Sequence, residues 1–73
     1  MGGTVPALLN AANEIAVAAF LDRRLPFTAI PEVIEHCLNT LPHQTVETLD
    51  TVLEADRLAR QVAHQRLTHY DHP

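Results

Sequence analysis

A chain of 73 residues has room for one domain with a small core, because a chain this short buries only about 60% of the surface its unfolded form exposes. Five Arg against nine Asp plus Glu give a formal net charge of -4, with acids in excess in both residues 1–40 and residues 41–73, which argues against a basic footprint for nucleic acid or an anionic membrane. Ser, Lys and Trp do not occur and the two glycines, Gly2 and Gly3, are adjacent, so a serine nucleophile, a lysine Schiff base, a Walker loop and a three-glycine dinucleotide fingerprint are excluded.

Three helical patterns follow in chain order, with no strand pattern and no repeat, and they predict an all-α chain of three antiparallel-packed helices over about 5–22, 29–41 and 48–67. At the start of the first, Thr4 is placed to cap free amides and Pro6 is tolerated in the first turn. Arg23 and Arg24 suit the negative end of the helix dipole, and the run from Asp22 to Pro26 stops the helix. The second helix sets Ile30, Val33, Ile34, Cys37, Leu38 and Leu41 on one face, with Thr28 as its expected cap. Ile30 precedes Pro31 and is expected outside the α region, and Pro42 closes the helix. A loop leads to Thr48, which caps the third helix with Asp50 in its first turn. Residues 1–67 read as one helical bundle domain and residues 68–73, with His69 and His72 beside Tyr70 and Asp71, as a flexible polar tail.

Between Ala7 and Leu21 only Asn10, Asn13 and Glu14 are polar. A helix apolar over most of its circumference wants neighbours on several sides, and two partner helices leave part of it wet. A fourth element is therefore expected from another protomer, another domain or residues upstream of Met1. At i, i+3 and i+4 the side chains of Asn10, Asn13 and Glu14 share a face. Two readings compete for them: a solvated edge, or a polar cluster joining helices or domains. One carboxylate without a second acid, base or metal ligand is poor ground for chemistry, so no catalytic residue is assigned.

His36, His43, His64, His69 and His72 lack a metal-ligand spacing on one helix, and no metal-binding or cofactor-binding residue is assigned. Cys37 is the single cysteine, so no intrachain disulfide forms. It falls on the apolar face of the second helix, where a free Cys behaves as a small buried hydrophobe. Glu54 with Arg57 and Asp56 with Arg60 are helical ion pairs. Asp56 lies close to the apolar face of the third helix, so its pairing with Arg60 is read as structural. The chain has neither a signal peptide pattern nor an apolar run of membrane-spanning length, and the expectation is a soluble, cytoplasmic protein that binds neither nucleic acid nor membrane.

The run from Gly2 to Leu21, above all Leu9-Asn-Ala-Ala-Asn-Glu14 with Ala18-Ala-Phe-Leu21, then Phe27-Thr-Ala-Ile30, then Val52-Leu-Glu-Ala-Asp56 with Ala59-Arg60, resembles the C-terminal helical domain of the 1-deoxy-D-xylulose 5-phosphate reductoisomerases. The resemblance extends to about Arg66. It implies a parent oxidoreductase that converts 1-deoxy-D-xylulose 5-phosphate to 2-C-methyl-D-erythritol 4-phosphate in non-mevalonate isoprenoid biosynthesis, using NADPH and a divalent metal, Mg or Mn. In that family a Rossmann-type domain binds NADPH, a central domain holds metal and phosphate, and a four-helix bundle packs against the catalytic part. Only the bundle has a counterpart here, so neither cofactor nor metal is assigned to this chain.

The family also has a bundle helix before the segment matched by Gly2-Gly3-Thr4, where this sequence has Met1. The expectation is a bundle lacking its first helix, with the catalytic domain of the parent as partner and a second copy covering the open face in a symmetric, six-helix homodimer. A stand-alone helical dimerisation or adaptor module is the alternative.

Overall fold

The computed structural model describes residues 3–70. Helix α1 spans Val5–Leu21, α2 Ile30–Thr40 and α3 Leu49–Leu67, with short 3-10 turns at Phe27–Ala29 and Thr68–Tyr70. No strand occurs among the described residues, and none of their helices is long and apolar enough to cross a membrane. The all-α class is confirmed, and each α-helix begins and ends within about one residue of its expected place.

Alanine dictates how the helices meet. Among the described residues, eight of the thirteen buried hydrophobic ones are Ala, and α3 carries Ala55, Ala59 and Ala63 one turn apart. Side chains this small let helix backbones approach closely, but each removes little apolar area from water. At one end Leu8 and Ala11 pack with Ala55 and Ala59, against Leu38 and Leu41. At the other, Ala16 and Ala19 pack with Val33, Ala63 and Leu67. Helices α1 and α3 thus run in the same direction with α2 antiparallel to both, in a body of 43 × 17 × 16 Å.

Helix ends show where local signals were overruled. Thr4 holds the N-cap position of α1 but makes no side-chain bond to its amides. Its hydroxyl instead accepts from the Gln44 backbone amide at 3.0 Å while its own amide donates to the Gln44 carbonyl at 2.9 Å. Fully buried, Thr4 fastens the loop before α3 onto the start of α1. Thr28 does not cap α2 either: it lies inside the 3-10 turn, and Ala29 takes the N-cap place without a side-chain bond. Ile30 is helical at φ -55, ψ -53, contrary to the expectation from Pro31, because the preceding 3-10 turn, closed by Ala29 N–H to Pro26 C=O at 2.9 Å, already winds the chain into the helix. Thr48 does cap α3, accepting from Thr51 N–H.

Past α1 the chain closes a Schellman motif. Arg24 N–H donates to Ala19 C=O at 2.8 Å and Arg23 N–H to Phe20 C=O at 3.0 Å, with Arg23 left-handed at φ 62. Leu25, buried at the end of this turn, anchors it to the core. Where the sequence suggested a free tail from residue 68, Thr68–Tyr70 forms a 3-10 turn and the Tyr70 hydroxyl donates to Glu32 Oε1 at 2.7 Å. Asp71, His72 and Pro73 lie outside the described residues.

Candidate functional site

Four of the five side chains singled out in the sequence meet in one network. Asn10 Nδ2 donates to Glu14 Oε2 at 3.0 Å along α1. The same oxygen accepts from Arg60 Nη2 of α3 at 3.0 Å, and Arg60 Nε donates to Asp56 Oδ1 at 2.7 Å and Oδ2 at 3.2 Å. Helical spacing puts Asn10 beside Glu14 and Asp56 beside Arg60, and the parallel packing of α1 and α3 brings the two pairs level. The two carboxylates stabilise the cation, so the guanidinium is held above its ordinary pKa, by Asp56 first and Glu14 second. Asn13 points elsewhere, into a shallow groove between α1 and α2 shared with Pro6, Leu9, Asn10 and Ile34.

A second polar cluster had no sequence signal beyond its residue types. Glu32, Glu35, His36, Asn39 and Arg66 line a depression of about 310 Å³ between α2 and α3. The Arg66 guanidinium stacks 5.9 Å from the Tyr70 ring centroid. Partial burial, then the bond to the Glu32 carboxylate, raise the Tyr70 phenol above its ordinary value of 10.0. His43 approaches Leu38 C=O at 2.8 Å, His69 packs edge-on to Tyr70, and His72 lies outside the described residues. Cys37 is fully buried with Sγ 3.8 Å from Ala59 C=O. Burial pushes its thiol up, away from the reactive thiolate. Among the described residues no three His, Cys, Asp or Glu side chains converge as metal ligands.

What the surface offers is apolar contact. Leu21, Phe27 and Leu49 are exposed by 73%, 69% and 71%, and Leu53 by 56%. Phe27 rests edge-on against Phe20, with ring centroids 5.5 Å apart. An alanine-rich core, with Leu8, Leu25, Val33 and Leu67 as its larger members, and a polar tie between α1 and α3 define a small all-α helical domain. The chain belongs to the DXP reductoisomerase C-terminal domain family, whose model matches residues 1–62. It is 56% identical over 69 residues to the 1-deoxy-D-xylulose 5-phosphate reductoisomerase of Xanthomonas oryzae pv. oryzae (strain PXO99A), covering 94% of this chain and 17% of that protein. The enzyme of the same name from Pseudomonas paraeruginosa is 58% identical over the same shares, and that of Methylococcus capsulatus is 58% identical over 88% of this chain and 16% of its own length. The chain thus spans about a sixth of the length of these relatives.

Proposed function

We propose that this chain serves as the C-terminal accessory domain of a cytoplasmic reductoisomerase acting on 1-deoxy-D-xylulose 5-phosphate, and that it braces the catalytic part without entering the chemistry. The observation that carries this reading is the 56% identity to a reductoisomerase over 94% of the chain. The product is 2-C-methyl-D-erythritol 4-phosphate, a precursor in non-mevalonate isoprenoid synthesis. In the parent, NADPH would serve as the reductant of that reaction, with a divalent metal, Mg or Mn, aiding it. The residues described here fit neither group: no ligand cluster converges, and the two adjacent glycines cannot build a pyrophosphate turn. Both are assigned to the remainder of the parent, and no step runs through them here.

In this reading Asn10, Glu14, Asp56 and Arg60 keep α1 and α3 in register, while Asn13 and its groove meet the catalytic part. The test is a chimaera in which this chain replaces the matching segment of the Pseudomonas paraeruginosa enzyme. NADPH-dependent turnover within about tenfold of the parent is expected. A folded chimaera with no turnover overturns the reading. Exposure of Leu21, Leu49 and Leu53 also favours self-association, as a homodimer of the domain or as a separate dimerisation module.

A further inference from the structure

Arg66 stands in the last turn of α3, and its hydrogen bonding is incomplete. Its Nε is shut off from solvent and has no hydrogen-bond partner. A buried donor of a charged group ordinarily finds an acceptor, because leaving it unpaired forfeits its hydration for nothing. The other guanidinium groups of α3 are answered, Arg57 by Glu54 and Arg60 by Asp56 and Glu14. Among the described residues no carboxylate forms an ion pair with Arg66. Its contact is the Tyr70 ring, 5.9 Å away at the centroid, which attracts the cation but gives Nε no lone pair.

The depression that Arg66 lines runs along α2. Glu32, Glu35, His36 and Asn39 follow at i, i+3, i+4 and i+7 on one face of that helix, so its ends are about 10 Å apart. A volume of about 310 Å³ suits a group of side-chain size rather than a whole element. Glu32 Oε1 is already occupied by the Tyr70 hydroxyl at 2.7 Å, whereas Glu35 and Asn39 have no hydrogen bond or ion pair among the described residues. Two carboxylates against one guanidinium leave the lining net negative, which works against a carboxylate or phosphate guest. A purely cationic guest would bring Arg66 no acceptor. The guest that answers both walls is neutral and carries an acceptor beside a donor, which is the chemistry of an amide.

We propose that the α2–α3 depression is an amide seat, filled by a carboxamide side chain or a main-chain peptide group of the parent's catalytic part. The guest C=O accepts from the Arg66 guanidinium, which turns about its outer side-chain bonds to bring Nε–H to it, and the guest N–H donates to Glu35. This rests on the accessory-domain reading, under which most of the parent lies outside this chain. It adds a contact on the α3 side of α2 to the Asn13 groove on its α1 side. Tyr70, bonded to Glu32 and set against Arg66, closes one end of the seat and holds its two walls together.

Backbone hydrogen exchange, read by mass spectrometry in the chimaera and in the free 73-residue chain, tests the seat. Amides around Glu35 and Arg66 are expected to exchange about tenfold more slowly in the chimaera. Glu35→Met and Arg66→Met should each erase that difference, since each removes one wall. In the free chain both variants should keep their helicity by circular dichroism, because Glu35 is exposed and Met keeps an apolar stem at position 66. Should Arg66→Met unfold the free chain, Glu35→Met decides alone. Equal exchange in chimaera and free chain overturns the seat, and so does a difference that survives both substitutions. Added protection from Glu35→Met is the sign of an anionic guest, and from Arg66→Met of a cationic one; either overturns the amide. An active chimaera with any of these results overturns the seat alone, whereas a folded chimaera without turnover overturns the accessory-domain reading and the seat with it.

Discussion

Two residues with the same backbone angle make opposite predictions. Gly3 and Arg23 both sit at φ 62, a conformation that costs a side chain bearing Cβ about 1–2 kcal/mol. At Gly3 a Cβ would land on the Gln44 carbonyl oxygen, the atom that accepts from Thr4 N–H. Gly3→Ala is therefore expected to destabilise the fold by about 1–3 kcal/mol. Arg23 is exposed and is the left-handed residue of the Schellman turn. Arg23→Gly should stabilise by about 0.5–1 kcal/mol, the relief of strain less the added freedom of the unfolded chain. Urea midpoints of the two variants check both signs. Neither position was legible beforehand. A glycine pair signals a turn, but its carbonyl neighbour lies 41 residues along the sequence. Thr4 and Thr28 likewise carried the right side chains for caps, and the first was diverted by a loop partner that only folding supplies.

Helices themselves were legible because their signals are local and redundant: apolar spacing, Pro near the first turn, Thr48 before α3. The polar site was legible only in halves. Asn10 with Glu14 and Asp56 with Arg60 are each readable as neighbours on one helix, but the Glu14–Arg60 bond joins residues 46 apart and depends on how closely α1 and α3 approach. That approach rests on the alanine stripes, where Ala59 is fully buried opposite Cys37. Ala59→Leu should force the helices apart and cost about 1–3 kcal/mol, read as a lowered urea midpoint. The same separation should break the Glu14–Arg60 bond, visible as loss of a protected guanidinium proton signal. Sequence reading missed the Tyr70–Glu32 contact for a simpler reason: polar residues at a chain end resemble a tail until a partner helix is in place.

At the scale of the whole molecule, two groups link stability to alkaline pH. Tyr70 is raised above 10.0 by partial burial and Glu32, and Cys37 above 9.0 by burial. Each therefore holds its proton longer when folded than when unfolded. As pH climbs through the ordinary range of these groups, the unfolded chain releases protons first, and stability falls from about pH 9 upward. The contribution is fully present below that range. Tyr70→Phe should flatten the part of this alkaline loss that belongs to the phenol while leaving the thiol part, and urea midpoints against pH separate the two. An alanine-rich core with Leu21, Phe27, Leu49 and Leu53 left exposed suits the proposed role of bracing a neighbour. The most direct measurement of that claim is NADPH-dependent turnover by a reductoisomerase lacking this segment, assayed with and without the 73-residue chain added in trans. Impaired turnover that the added chain restores, with none from the chain alone, is expected; full turnover without the chain, or turnover by the chain by itself, would contradict a bracing role.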